Sequence, residues 1–184
     1  MGCALSVTGS AGVLIDSAGH VGVVTKVGAA TGLELTPHKK GQRTLVSLGT
    51  PAYDFTGAVD VTGGRVGGFF DVGASGTAIS DDVGGALTAS AKLRMGGFIG
   101  EPFRGGPTFA LDVLKVMKST EKPGCQAFDA AHSHHLAGGE LEGSWLVGKD
   151  DVPGRALFFV GPAYQFHTTT ALCFSERSDR GRAP

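Results

Sequence analysis

The residues best suited to chemistry lie late in the chain. In the stretch CQAFDAAHSHHLA, Asp129, His132 and His135 recur at i, i+3 and i+6. On a helix those positions span about 120° of one face. Two imidazoles and a carboxylate there form a donor set suited to zinc or iron. A divalent metal on Asp129, His132 and His135 is therefore the cofactor expectation. A plainer reading stands beside it. Histidines near a helix C-terminus are favoured by the macrodipole, His132 shares a stripe with Phe128 and Leu136 that suits packing, and no recognised zinc spacing surrounds the set.

A second candidate opens the chain. MGCALS matches the Met-Gly-x-x-x-Ser pattern of N-myristoylation on Gly2, and Cys3 stands where a second acyl chain is often added. One myristoyl chain holds a membrane only marginally, so a second signal is required. The first cation is Lys26, so palmitoylation of Cys3 would have to supply it. This yields a lipid-anchored reading in which the protein reaches a membrane surface through its N-terminus.

Nucleophile and phosphate patterns are missing. GASGT around Ser75 lacks the second glycine of a nucleophile elbow, GKD at Gly148 to Asp150 lacks the hydroxyl after lysine, and GGRVGG has Thr62 where a dinucleotide fingerprint needs glycine. Asp81–Asp82 and Asp150–Asp151 sit in turns without calcium-loop spacing. No catalytic motif is found, and the chain is expected not to be an enzyme unless the histidine set holds a metal.

The elements that must carry these residues read mostly as strands. In ALTASAKLRMG, Leu87, Ala89, Ala91, Leu93 and Met95 fall on one face and Thr88, Ser90, Lys92 and Arg94 on the other. Alternation of that length argues for a half-buried strand. In DFTGAVDV the same pattern predicts Phe55, Val59 and Val61 inward and Thr56 and Asp60 outward. Val21, Val23 and Val27 group likewise, as do Val66, Phe70 and Val72, and Tyr164 and Phe166 with Leu172 and Phe174. RALFFVG is apolar on both faces and suits a central strand. Turn-rich stretches at Thr36 to Gly41, Thr62 to Gly64, Ser80 to Asp82 and Lys149 to Gly154 separate the runs. The expectation is an all-β single domain over residues 1–174, a barrel or sandwich of about eight to ten short antiparallel strands, followed by a polar tail over 175–184.

Two helices are expected within it. Phe109, Val113 and Val116 recur at helical spacing, with Pro107 suited to the first turn, which predicts a helix near 107–119. A second is predicted near 126–137, closed by Gly138 and Gly139.

Alternation also raises a transmembrane β-barrel, which needs aromatic girdles at both interfaces. One Trp, two Tyr and eleven Phe supply them poorly, and a helix near Pro107 fits no simple barrel, so the sequence turns this reading aside.

Composition narrows the rest. A net charge of −1 carries no nucleic-acid footprint. No apolar run is long enough for a spanning helix, and no secretory signal is visible, which places the chain inside a cell or already processed. Cys3, Cys125 and Cys173 are too few for a disulfide framework. Glycine, at 31 of 184 residues, is far above the usual roughly 7%.

Three functions remain: a structural or assembly protein, a lipidated binding module, and a metal-dependent enzyme. The first asks for no missing motif and leads. It expects self-association or a larger assembly through strand edges near GVLID and TTTALCF, with Arg177, Arg180 and Arg182 of the tail pairing with an acidic neighbour.

Overall fold

Period-two alternation extends through strands longer than the sequence implies. The computed structural model describes residues 2–35, 44–121, 130–149 and 151–171. They form β1 (Gly2–Asp16), β2 (Val21–Glu34), β3 (Thr44–Asp60), β4 (Arg65–Ser80), β5 (Gly85–Phe98), β6 (Arg104–Glu121), β7 (Ala130–Gly148) and β8 (Asp151–Ala171). Each strand pairs antiparallel with its sequence neighbour, and β1 pairs with β8 to close a barrel. The turns at 61–64 and 81–84 each end on a glycine at φ +65°, Gly64 and Gly84, a conformation that side chains with a Cβ resist.

The pairing fixes the barrel's geometry. Partners can be followed from Ser6 through Ala30, Ala52, Gly73, Lys92, Thr108, Ser144 and Leu157. Leu157 pairs not with Ser6 but with Asp16, ten residues further along β1. A stagger of that size over eight strands tilts them by about 40° from the barrel axis. Eight strands enclose a lumen just wide enough for side chains to fill.

Four sequence expectations are corrected. Residues 107–119 are not a helix but the body of β6, and residues 130–137 lie in β7; 126–129 fall outside the described residues. The helical reading of β6 arose because Phe109, Leu111 and Val113 face outward while Leu114 and Val116 pack inward. Apolar residues on both faces near one end blur a period of two into one near 3.6. The predicted edges are not edges, since β1 and β8 are each other's partners. The facing of β3 is reversed: Phe55 is 61% exposed and Val59 also faces out, whereas Thr56 and Asp60 are buried.

Inside the wall the side chains stack in layers. Leu14, Val24, Ala58, Phe69, Phe98, Leu146, Leu157 and Phe159 form an apolar layer toward the end bearing turns 17–20, 61–64 and 99–103. Leu45, Ile79, Ala86, Leu114 and Leu136 form a smaller one toward the other end. Polar and charged groups fill the space between.

Candidate functional site

The outer wall is the first unusual surface. Leu5, Val7, Val13 and Ile15 of β1 face outward, and so do Val21, Val23, Val27 and Leu33 of β2. The pattern continues with Phe55 and Val59, Val66, Leu93 and Met95, Phe109 and Leu111, Leu141 and Trp145, and Phe158 and Val160 on β3 to β8. Among the described residues, no Asp, Glu, Lys or Arg faces outward between the level of Lys115 and the turns. Soluble monomers rarely expose a continuous apolar patch above a few hundred Å². Here the patch encircles the molecule. On β1 it spans Leu5 to Ile15; at a rise of about 3.3 Å per residue and a tilt of about 40° that is roughly 25 Å of height, the apolar band of a bilayer-spanning barrel.

The lumen is the complement. Arg94 of β5, 2% exposed, donates from Nε to Asp71 Oδ1 at 2.8 Å and from Nη2 to Asp71 Oδ2 at 2.6 Å. Its Nη1 lies 2.5 Å from Glu142 Oε1 and donates to Ser144 Oγ at 3.0 Å. Lys26 of β2 donates to Glu142 Oε2 at 2.7 Å and also to Glu140, while Lys92 pairs with Asp54. Each of these residues has an outward apolar side chain next to it on its strand, so the alternation that greases the wall also puts charge inside. Burying charge is tolerable only with such pairing. Lys26 and Arg94 also lie 5.3 and 5.4 Å from the ring centres of Phe159 and Phe69, the edge of the apolar layer. A cavity of about 40 Å³, lined by Ser6, Thr8, Lys26, Asp54, Asp112 and Glu140 among others, has room for a few waters and no more. Among the described residues, the middle of the lumen is filled by side chains.

A chain of neutral groups continues beyond the charges. Thr77 and Thr88 hydroxyls meet at 3.0 Å, Thr88 donates to Gln165 Oε1 at 2.9 Å, and Gln165 Nε2 donates to Ser6 Oγ at 3.3 Å. Ser6 Oγ lies 2.6 Å from His167 Nδ1, and Ser47 Oγ lies 3.3 Å from His167 Nε2. These hydrogen bonds brace five strands, β1, β3, β4, β5 and β8, against one another.

At the turn end, all four hairpins are tied together. Glu101 accepts from Arg104 Nη1 at 2.5 Å, from Arg155 Nη1 at 3.3 Å and from Arg65. Arg155 also reaches Asp16 Oδ2 at 3.4 Å. Arg65 donates to Asp60 Oδ2 from Nε at 2.9 Å and from Nη2 at 2.5 Å. Asp60 lies at the rim, past Val59 and the apolar band. The Gly63 N–H, donating to its Oδ1 at 2.8 Å, and then Arg65 hold its carboxyl below the ordinary range.

The residues singled out in the sequence are dispersed. His132 and His134 share the inner face of β7, with rings stacked 6.3 Å apart, whereas His135 faces outward against Tyr164 and Phe166. Side chains three apart on a strand point to opposite faces, so His132 and His135 do not converge, and Asp129 lies outside the described residues. Among the described residues no group of three or more His, Cys, Asp or Glu side chains is placed to hold a metal ion. Gly2 begins β1, paired with Glu34 and Ala171, and the free Cys3 thiol faces outward. Arg177, Arg180 and Arg182 lie outside the described residues. The ion-pair partners were visible in the sequence only as the polar face of each strand. The missed signal was that Lys26, Asp54, Lys92, Arg94, Glu140 and Glu142 all sit mid-strand next to an apolar residue that points the other way.

No protein-family model and no curated protein matches the chain. Among solved structures, it is similar to the transport unit of the autotransporter AIDA-I from Escherichia coli, at 9% identity over 92% of this chain and 89% of that one, with a TM-score of 0.30. A likeness that distant carries no functional argument.

Proposed function

We propose that this chain is an integral membrane β-barrel whose role is structural: it spans a bilayer as a closed, filled barrel and serves as an anchor or assembly element rather than as an open channel or an enzyme. The observation that carries the reading is the inversion of the wall, with apolar side chains outward on all eight strands and ion pairs within. Lipid satisfies an apolar exterior, and closure leaves no unpaired strand edge in the hydrocarbon. Phe103 and Trp145 near the turns and Tyr164 and Phe166 toward the opposite end supply aromatic rings toward both interfaces, of which Trp145 and Tyr164 are amphipathic. The filled lumen supports a non-conducting role.

The test is refolding of the full chain from urea with and without detergent micelles or phospholipid vesicles. The expected result is β-structure and heat-modifiable gel mobility only with the amphiphile, and co-flotation with vesicles. A monomer that folds in plain buffer and stays out of the vesicle fraction would overturn it. A folded, detergent-free oligomer of defined mass would replace it with the soluble-assembly reading.

A further inference from the structure

At the turn end one nitrogen atom faces two kinds of partner. His20 Nδ1 lies 2.5 Å from Arg65 Nη2, 3.2 Å from Asp16 Oδ2 and 3.6 Å from Asp60 Oδ2. The imidazole is one-third exposed, and its backbone is fixed by Asp16, whose Oδ1 accepts from the N–H groups of Ala18 at 2.8 Å and His20 at 3.0 Å. The backbone that carries the ring is therefore held beside all three partners. Only a neutral imidazole with a bare Nδ1 can accept from the Arg65 guanidinium. A protonated ring donates from Nδ1 and can bond only to the carboxylates.

We propose that His20 is a pH-sensitive latch for the turn end of the barrel: neutral, it accepts from Arg65 and ties the first hairpin to the second; protonated, it turns to Asp16 and Asp60 and releases that tie. Among the described residues, three charged groups lie against Nδ1 of the ring. β1 supplies Asp16, β3 supplies Asp60 and β4 supplies Arg65. Through Glu101, Arg65 is linked to Arg104 of β6 and Arg155 of β8. A proton on His20 adds one positive charge beside Arg65. The two cations then compete for Asp60, and Arg65 is left with Glu101, which already serves two other guanidiniums. Histidine is the side chain whose charge ordinarily changes between pH 5 and 8. The latch does not depend on the bilayer reading, because it lies at the rim and operates equally in a soluble barrel.

The experiment uses the full chain, folded in detergent micelles or in whatever medium supports the fold. Nitrogen-15 spectra of the imidazoles at pH 8 should show His20 with Nδ1 unprotonated and the proton on Nε2, and at pH 5 with both protonated. Amide exchange over 61–65 and 99–103, corrected for intrinsic rates, should rise roughly three- to fivefold between pH 8 and pH 5, the effect of one partly exposed charge contact. In His20→Gln, which cannot take a proton, exchange at those turns should be flat over the same range. A proton on Nδ1 at pH 8 would overturn the proposal, because Arg65 could not donate to it. So would an equal pH response in His20→Gln. The spectra need no variant, so the first outcome decides even if the substitution disturbs folding.

Discussion

Arg94 and Asp71 meet in a two-point pair at mid-lumen, Nε to Oδ1 at 2.8 Å and Nη2 to Oδ2 at 2.6 Å, with both side chains sealed from solvent. Removing one partner of a buried pair leaves the other's charge uncompensated, at about 3–5 kcal/mol, whereas replacing both with apolar groups is often neutral. Arg94→Met should therefore destabilise the barrel by that amount, and Arg94→Met with Asp71→Leu should recover part of it. The recovery is incomplete because Glu142 also loses Arg94 and, among the described residues, keeps Lys26 alone as an ion-pair partner. Urea unfolding of the single and double variants checks this; additive losses would mean the pair does not act as a unit.

Leu93 lies on β5 beside Arg94 and faces the opposite way, 60% exposed. If the wall faces lipid, Leu93→Arg puts a charge near the middle of the hydrocarbon, at about 2–4 kcal/mol. On a water-facing wall the same change is nearly silent. Unfolding of both proteins in phospholipid vesicles separates the two, and a difference within about 0.5 kcal/mol would contradict the lipid-facing assignment.

Glu101 receives three guanidiniums at the turn rim. Glu101→Gln keeps the shape and removes the charge, so Arg65, Arg104 and Arg155 lose a common counter-ion. The expected loss is about 1–2 kcal/mol, below the full value of buried charged bonds because the rim is partly hydrated. Hydrogen exchange should localise it to the turn end and leave the Leu45–Ile79 layer unchanged.

Asp60 gives the rim an acid dependence of definite sign. Its carboxyl is held below the ordinary range by the Gly63 N–H and by Arg65. A group with a lowered pKa in the folded state contributes stability that is full above the unfolded value and fades as pH falls through the folded one. Denaturation midpoints between about pH 5 and pH 2 should fall less steeply in Asp60→Asn than in the parent.

The seam between β1 and β8 depends on two glycines. A Cβ at Gly161 would come within 2.0 Å of the Ala11 carbonyl oxygen, and one at Gly12 within 2.2 Å of the Val160 oxygen. Backbone atoms on both sides leave nothing that can swing away. Gly161→Ala should cost about 1–3 kcal/mol through overpacking of the closing pair. Gly139→Ala is the control, since its nearest neighbour is a carbonyl at 3.9 Å. Equal losses in the two variants would show that the seam has no special tightness.

A count of Trp, Tyr and Phe does not by itself decide the bilayer-spanning reading proposed above, because a bilayer responds to where side chains point. Nearly every strand turns its Val, Leu and Phe outward, so a continuous band forms with few rings. The helical reading of 107–119 failed for a related reason: Leu114 and Val116 belong to the inner layer at one end of the lumen, and a sequence window cannot assign neighbouring apolar residues to opposite faces.

What the sequence determined by itself was alternation. Val21 with Val23 and Val27, Leu87 with Leu93 and Met95, and Thr88 with Lys92 and Arg94 separate into two faces on the sequence alone, because side chains on a strand alternate with a period of two. The all-β class and the turn at Thr62 to Gly64 followed from the same local chemistry. Which face is inside did not, because a period of two is symmetric and reads the same for a greasy core with a polar skin as for its inverse. Only closure decided it. When β1 pairs with β8 at a ten-residue stagger, Lys26, Asp54, Asp71, Lys92, Arg94 and Glu142 converge from five strands into one lumen and satisfy one another. Residues so far apart in the chain have no local reason to be partners; the tertiary pairing alone gives their charges a place to be buried and leaves the apolar face outside.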